Sequence, residues 1–248
     1  MHLRSAAAAI LIALASSASA DVVLQPKYEY DDFFKSCRGS IYFEGDVAAI
    51  TGSFTFEAQD YRWACGLDRV ASGGGGHRCE GETSVKYECA DITDYTIHAL
   101  RCFDDAGAEK GCGSVSVDQI SAPKISVADG AAVEGSRLIA VASGFDDFFE
   151  RCEIDFVVNT PYPDGKVTFD YIVSAAGESE AMTCEHTVFA NGGGGGSCSG
   201  VFGHKYSCAE IDSVVTTVPQ CLDENEAPRS CGAVSAVSVG VNGFAIGD

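Results

Sequence analysis

The sequence has 248 residues and a formal net charge of −20, and 46% of its residues are hydrophobic against 21% charged. A chain this acidic is excluded as a nucleic-acid binder and repels anionic membrane surfaces, because both contacts need clustered lysine and arginine. The apolar content excludes intrinsic disorder, since it supplies enough apolar surface to form a core.

The first 20 residues have the pattern of a secretory signal peptide. Arg4 precedes an apolar run from Ala6 to Ala15, and the segment ends with small residues up to Ala20. The alternative, an N-terminal membrane anchor, is disfavoured because the run is shorter than the ~20 residues that span a bilayer. We therefore predict cleavage after Ala20, a secreted or extracellular location (periplasmic if the source is bacterial) and no membrane span.

All 12 cysteines follow this segment, an even number in a predicted secreted chain. Zinc sites usually bring cysteines in close C-x2-4-C pairs, whereas the closest cysteines here are 10 residues apart. We predict that all are disulfide-bonded, each within its own half of the chain. They are Cys37, Cys65, Cys79, Cys89, Cys102 and Cys112, followed by Cys152, Cys184, Cys198, Cys208, Cys221 and Cys231.

The two sets of six cysteines belong to an internal repeat. The last five cysteines of each set have identical spacing, and the segment Tyr30–Cys37 returns as Phe145–Cys152. We predict a tandem duplication, with one cysteine-rich domain at residues 21–124 and a second at residues 125–248. The interval between the first two cysteines is four residues longer in the second copy. The turn residues at Pro161–Gly165 suggest a longer surface loop there.

The local pattern is all-β. Ser53–Phe56 and Val167–Val173 alternate polar and apolar residues, which is typical of half-buried strands. Ile154–Val158, Val214–Val218 and Val234–Val241 are rich in β-branched residues. Short strands over about 110 residues per copy predict a disulfide-stapled β-sandwich or small barrel in each domain.

Six cysteines allow 15 pairings, so the sequence leaves most of the connectivity open. The favoured pairs are Cys102 with Cys112 and Cys221 with Cys231. Each pair brackets an acidic, polar segment that has the character of an exposed loop between strands.

Paired acids recur at the start of the repeated segment, as Asp31 with Asp32 and Asp146 with Asp147. Carboxylates in a turn are calcium ligands, so these four residues are the candidate metal site and calcium is the only candidate cofactor. The alternative is a capped turn whose following phenylalanine pairs anchor into the core.

No catalytic constellation is visible. None of His77, His98, His186 and His204 recurs in the other copy, and no G-x-S-x-G or H-E-x-x-H motif is present. The glycine runs lack the lysine and hydroxyl of a P-loop. Trp63, the only tryptophan, aligns through the cysteines with Met182 and is either a core residue or a platform for sugar stacking.

Three functions remain open. The first is a non-enzymatic extracellular binding, adhesion or structural protein, whose partner is another protein or a polysaccharide and which has the potential to self-assemble. The second is a secreted hydrolase with an Asp/Glu pair, as in glycosidases. The third is a secreted inhibitor or effector that binds a basic protein.

Overall fold

The computed structural model describes residues 21–71, 77–80, 85–118, 126–128, 131, 135–162, 164–188, 194–200 and 203–247. The predicted signal peptide, residues 1–20, lies outside the described residues. The described chain consists of strands and two short 3-10 turns, Cys89–Asp91 and Cys208–Glu210. Within these residues, no helix has the length and apolarity needed to cross a membrane.

Nineteen strands are described. The first nine are β1 (Val22–Asp31), β2 (Ser36–Gly45), β3 (Ala49–Ala58), β4 (Tyr61–Ala71), β5 (His77–Glu80), β6 (Ile92–Phe103), β7 (Glu109–Lys110), β8 (Val115–Val117) and β9 (Ser126–Val127). The others are β10 (Ser136–Asp146), β11 (Arg151–Asn159), β12 (Gly165–Ala175), β13 (Glu178–Val188), β14 (Gly194–Gly200), β15 (Ile211–Thr216), β16 (Gln220–Leu222), β17 (Pro228–Arg229), β18 (Val234–Val239) and β19 (Phe244–Ile246).

These strands form four sheets. Sheet A has the order β2-β1-β8, and sheet B has the order β5-β4-β3-β6-β7 with β9 beside β6. Sheet C has the order β11-β10-β18, and sheet D has the order β14-β13-β12-β15-β19 with β16 beside β12 and β17. We call residues 21–131, which build sheets A and B, the first half, and residues 135–247, which build sheets C and D, the second half.

Each half has its own apolar core between two facing sheets. Leu24 and Ile41 of sheet A share a core with Phe54 of sheet B, and Leu138 of sheet C shares one with Phe169 of sheet D. The all-β prediction is therefore confirmed. The small-barrel alternative is wrong, because the sheets stay open and face each other instead of closing through one continuous ladder.

A third apolar cluster joins the two halves. Ala64 on the outer face of sheet B packs against Ile139, Val141 and Val157 on the outer face of sheet C. The four sheets are thus stacked in the order A, B, C, D. The central strand β3 is buried along almost its whole length, because both of its faces are covered.

A polar network around Arg101 fastens the same contact. The side chain of Arg101 is fully buried, and its Nε donates to Asn159 Oδ1 at 2.6 Å across the halves. Its Nη1 donates to Glu109 at 2.6 Å, and its Nη2 donates to the carbonyl of Gly135. Burial lowers the pKa of Arg101, and Glu109 opposes this shift. The guanidinium is therefore a donor that sheet B and sheet C share.

His98 lies at the same contact. Its Nε2 is 2.7 Å from Thr55 Oγ1, and its carbonyl accepts a hydrogen bond from the guanidinium of Arg137. Burial, as the largest cause, and the nearby Arg137 together lower the pKa of His98 to about 4, against the opposing effect of Asp94. The ring is therefore neutral at physiological pH, as a buried ring beside a guanidinium should be.

The described disulfides have the same pattern in both halves. Cys37 is bonded to Cys89 and Cys152 to Cys208, so one staple joins sheet A to the 3-10 turn before β6, and another joins sheet C to the 3-10 turn before β15. The other described pairs are Cys102–Cys112, Cys184–Cys198 and Cys221–Cys231. Two of these are the loop-bracketing pairs favoured from the sequence.

Cys65 is also disulfide-bonded and lies in register with Cys79 on the next strand, as Cys184 does with Cys198. The side chain of Cys79 lies outside the described residues. None of the described cysteines is free.

The four extra residues of the second half are divided between two places. Three residues connect β2 to β3, whereas five connect β11 to β12, including Pro163, which lies outside the described residues. The other two lie in β13, between the hairpin turn and the cysteine. The first residue of β4, Tyr61, precedes Cys65 by four residues, whereas the first residue of β13, Glu178, precedes Cys184 by six. The single longer loop expected at Pro161–Gly165 is therefore only half of the difference.

Strand β9 belongs to the sheet of the first half. Ser126 and Val127 pair in parallel with Thr96 and Ile97 of β6, and the N–H of Leu100 donates to the carbonyl of Ala131. β9 therefore pairs with backbone groups on the edge of β6 that faces away from β3, where β7 pairs only with Cys102 and Phe103.

Arg101→Ala should lower the free energy of unfolding by about 3 kcal/mol, because it leaves buried acceptors on Asn159 and Gly135 without their donor. Urea denaturation of the oxidised protein measures this. Arg38→Ala is the matched control; that side chain is more than half exposed, and its loss should change stability by less than about 1 kcal/mol. Equal effects of the two substitutions would contradict the role of the buried network.

Candidate functional site

The most exposed apolar side chains lie at two hairpin turns, which we call the tips. Tip one is residues 31–36, between β1 and β2, and tip two is residues 146–151, between β10 and β11. Phe33 and Phe148 are each 86% exposed, and Phe34 and Phe149 are about half exposed. The alternative that these phenylalanines anchor into the core is therefore wrong.

Local hydrogen bonds explain why the rings point outward. In tip one, Asp31 Oδ1 accepts the N–H groups of Phe33 and Phe34 at 2.9 and 3.0 Å. These bonds fold the backbone into a tight turn, which Lys35 closes in the left-handed region with φ 54°. Since the turn is held by backbone contacts with one carboxylate, its side chains are left free to face solvent.

Tip two repeats this geometry. Asp146 Oδ1 accepts the N–H groups of Phe148 and Phe149 at 2.7 and 2.9 Å, and Glu150 closes the turn with φ 52°. The two rings of each tip are edge to face, with centroids 4.9 and 5.0 Å apart.

An arginine supports the inner ring of each tip. The guanidinium carbon of Arg38 lies 4.4 Å from the ring centre of Phe34, and that of Arg151 lies 5.2 Å from the ring centre of Phe149. The inner rings are thus held against the protein, whereas the outer rings of Phe33 and Phe148 project beyond them.

Both tips lie at the same end of the molecule. In the first half, Ser36 at tip one forms a β-bridge with Tyr87. The neighbouring residue Lys86 accepts a hydrogen bond through its carbonyl from Gln59 in the β3–β4 turn. Tip one and the β3–β4 turn therefore lie at the same end of the first half. Across the halves, the ring of Tyr61 beside that turn packs on Gly144 at the base of tip two. Facing sheets are ~10 Å apart, so the tips of sheets A and C are separated by roughly 20 Å.

The predicted calcium ligands are all at the tips. Backbone hydrogen bonds, above all from Phe34 and Phe149, hold the pKa of Asp31 and of Asp146 below its ordinary value. Asp31 also pairs with Arg38 at 2.9 Å, while Asp32 and Asp147 are exposed. Over the described ranges, no group of three or more metal-ligating side chains is brought together.

A polar cavity of about 200 Å³ lies beneath tip two. Arg151, which supports Phe149, also lines this cavity. The other polar lining residues include Glu153, Asp155, Glu185, His186 and Tyr206, and Phe156 and Tyr171 form an aromatic wall. Burial raises the pKa of Tyr206, and the nearby Glu180 adds to the rise.

The same region of the first half is aromatic. Trp63 is buried and stacks on Phe56 at 4.6 Å, with Tyr87 at 5.0 Å. Trp63 is the third residue of β4, and the third residue of β13 is the buried Glu180, whose Oε1 accepts two backbone N–H groups. The cysteine spacing misaligned Trp63 with Met182, because the two extra residues of β13 lie before its cysteine. Trp63 is a core residue.

Sequence reasoning missed both the exposed rings and the cavity. The repeated Asp-Asp-Phe-Phe segment was the available signal for the tips. No protein-family model, curated protein or solved structure matches this chain.

Asp31→Ala should loosen tip one without unfolding the protein. The substitution removes the acceptor for two backbone N–H groups, so we expect the amide protons of Phe33 and Phe34 to exchange about five- to tenfold faster in NMR experiments. Asp32→Ala is the control, because that carboxylate makes only an exposed contact with Lys35. Faster exchange in both variants would contradict the capping role of Asp31.

Acid should have the same effect on the wild-type tip. The folded-state pKa of Asp31 is below its ordinary value of 3.8. The cap is therefore fully present above pH 3.8 and is lost as the pH falls through the lowered pKa.

Proposed function

We propose that this chain is an extracellular binding protein that docks a partner through its two Phe-Phe tips. It consists of two disulfide-stapled β-sandwich repeats, residues 21–124 and 125–248, derived from a tandem duplication and secreted after removal of residues 1–20. Matching disulfides and matching strand orders in the two halves support the duplication.

The observation that carries the proposal is the exposure of Phe33 and Phe148 at equivalent turns. A phenylalanine in water loses the free energy that its burial would provide, roughly 1.5–3 kcal/mol. Two such residues on preformed turns at one end of the molecule are typical of a contact surface rather than of scattered surface residues.

The interface between the halves supports bivalent docking. Arg101 and the apolar cluster at Ala64 hold sheet B against sheet C, so the roughly 20 Å between the tips does not depend on a flexible linker. A partner that engages one tip therefore meets the second at a high effective concentration.

The chemistry of the tips favours a protein partner with two apolar pockets and basic rims. Each outer ring projects from its turn beside an exposed carboxylate, Asp32 or Asp147. Edge-to-face rings enter pockets well, whereas sugar recognition needs a flat platform for stacking. A polysaccharide partner is therefore the less favoured alternative.

The variant Phe33→Ser/Phe148→Ser should lose partner capture while keeping its melting temperature, because both side chains are almost fully exposed. Each single variant should bind about tenfold or more weaker than the wild type, since bivalent binding is lost. Immobilised protein exposed to the extracellular fluid and surface fraction of the secreting cells, with quantitative mass spectrometry, measures the capture.

Val218→Ser is the matched control, because it also removes an exposed apolar side chain but lies outside the tips, between β15 and β16. Unchanged capture by the double tip variant would overturn the proposal. Capture of a polysaccharide would change the partner class, and a stoichiometric complex with one enzyme would identify the protein as an inhibitor.

Calcium at Asp31, Asp32, Asp146 and Asp147 remains part of the proposal. The exposed carboxylates of Asp32 and Asp147 are its available ligands, because Asp31 and Asp146 already accept backbone hydrogen bonds.

Hydrolysis in the polar cavity is the second candidate function. The observation in its favour is the set of carboxylates, Glu153, Asp155 and Glu185, beside His186 and an aromatic wall. If the cavity is catalytic, Asp155→Asn should reduce turnover of a glycoside substrate by about 10²-fold or more. Phe33→Ser should leave turnover unchanged. The absence of turnover by the wild type across a glycoside panel would remove this candidate.

A further inference from the structure

Exposed large apolar side chains occur in only two regions of the described chain. Six of them belong to the tips or flank them, and the other three are Ile172, Val215 and Val218 in or next to sheet D. Ile172 is 48% exposed and Val215 is 40% exposed, although both lie within regular strands. Sheet D therefore has an open apolar face that the tips do not explain.

Four residues form a continuous apolar row across this face. Ile172 of β12 is in register with Ala181 of β13 on one side and with Val215 of β15 on the other. Val215 is in turn in register with Ala245 of β19. The row Ala181–Ile172–Val215–Ala245 thus crosses four neighbouring strands, which we call the sheet D row.

Polar groups beside the row are bonded within the sheet. On one side, Asp170 accepts from the hydroxyl of Thr183, and its N–H donates to Thr217. On the other side, the hydroxyls of Ser174 and Ser179 are 2.9 Å apart. Because these groups have partners within the sheet, covering the face would not strip them of all their hydrogen bonds.

The first half has the same row, and there its first two positions are covered. Thr55 of β3 is in register with Ala64 and Thr96, and Thr96 is in register with Ser126. Thr55 and Ala64 are almost completely buried, because sheet C covers this side of sheet B. β12, the counterpart of β3, instead alternates between buried and exposed residues in its second half.

At the position of Thr55 and Ile172, the residue types in the two rows are the reverse of what solvent exposure would favour. The first-half row is Ala64–Thr55–Thr96–Ser126, of which Ala64 and Thr55 are buried, Thr96 is half-buried and Ser126 is exposed. The open row has Ala, Ile, Val and Ala at the same register positions. Ile172 and Val215 replace threonines at a face that this chain leaves in water. That pattern indicates that another sheet covers the face.

The outer face of sheet A in a second copy is a poor candidate for this cover. In sheet C, the residues that cover sheet B are aliphatic, namely Ile139, Val141 and Val157. In β1 of sheet A, the outward-facing residues one and three positions after the buried Leu24 are Gln25 and Lys27. The residues one and three positions after the buried Leu138 in β10 are aliphatic. Head-to-tail stacking would therefore oppose a charged face to an apolar one.

The sheet D row is better matched to itself. The five strands have 11, 11, 7, 6 and 3 residues in β12, β13, β14, β15 and β19. At ~3.4 Å per residue and ~4.8 Å between strands, their face is on the order of 600 Å², near the ~800 Å² that each partner buries in a stable complex. At one end of the face, Lys166 is 3.5 Å from Glu185 and 2.9 Å from Glu226, so these charges are paired within the sheet.

We propose that the sheet D row is a dimerisation surface, on which the same face of a second copy docks in an isologous, two-fold symmetric contact. The contact needs neither the tips nor their partner, so it is independent of the proposed docking function.

The test is the oligomeric state of the purified, oxidised protein by sedimentation velocity and multi-angle light scattering. The variant Ile172→Thr/Val215→Thr introduces the residues found at the same register positions of the first half, Thr55 and Thr96, and keeps high strand propensity, so it should fold normally. We expect a wild-type dimer at micromolar concentration and a dissociation constant about tenfold or more higher in the variant. Association should strengthen with added sodium chloride, because salt screens the repulsion between two acidic chains.

Phe33→Ser is the control and should remain dimeric. A wild-type protein that stays monomeric at high micromolar concentration would overturn the proposal. Two further results would also overturn it, because each indicates a head-to-tail contact. One is a molecular mass that keeps increasing with protein concentration. The other is a dimer that is lost in Lys27→Glu but kept in the threonine variant. An unchanged melting temperature in the threonine variant separates loss of association from loss of folding.

Discussion

The contact between sheet B and sheet C determines the shape of this molecule. Sheet B has two faces to bury, and sheet A covers only one of them, so the second half of the chain supplies the other layer. The buried guanidinium of Arg101 then fixes the register of the two halves, because its donors reach Asn159 and Gly135 on one side and Glu109 on the other. Removing a buried donor from such a network leaves acceptors that water cannot reach, which is why the contact resists sliding. The common direction of the two tips follows from this register.

The same fold is used differently in the two halves. The cores share sheet order and staples, yet a buried Trp63 stacked on aromatic rings in one half corresponds to a buried Glu180 beside a polar cavity in the other. The buried Thr55 under sheet C likewise corresponds to the exposed Ile172 of the open row. Disulfides make this difference between the halves tolerable. Each staple stabilises the folded state by roughly 2–4 kcal/mol, because it restricts the unfolded chain. This contribution does not depend on which side chains pack nearby.

The tips show how a turn can present apolar side chains that the core does not need. One carboxylate accepts two backbone N–H groups, a left-handed residue closes the turn, and an arginine supports the inner ring. The geometry is local, so it is the same in both hairpins although the surrounding residues differ. Exposed rings on a turn of this kind reach a partner with little loss of conformational freedom, because the backbone is already ordered.

The sequence by itself determined the all-β class and the disulfide-rich character, and it favoured the pairing of the loop-bracketing cysteines. Alternation of residue types and cysteine spacing are local or pairwise signals, and strands and short staples depend on little else. The outward direction of Phe33 and Phe148 was decided only by the tertiary structure, because an Asp-Asp-Phe-Phe segment fits a core anchor as well as an exposed turn. The burial of Arg101, the alignment of Trp63 with Glu180 and the open face around Ile172 also needed the structure. Each depends on which sheet covers which face, and that is set by contacts between residues far apart in the chain.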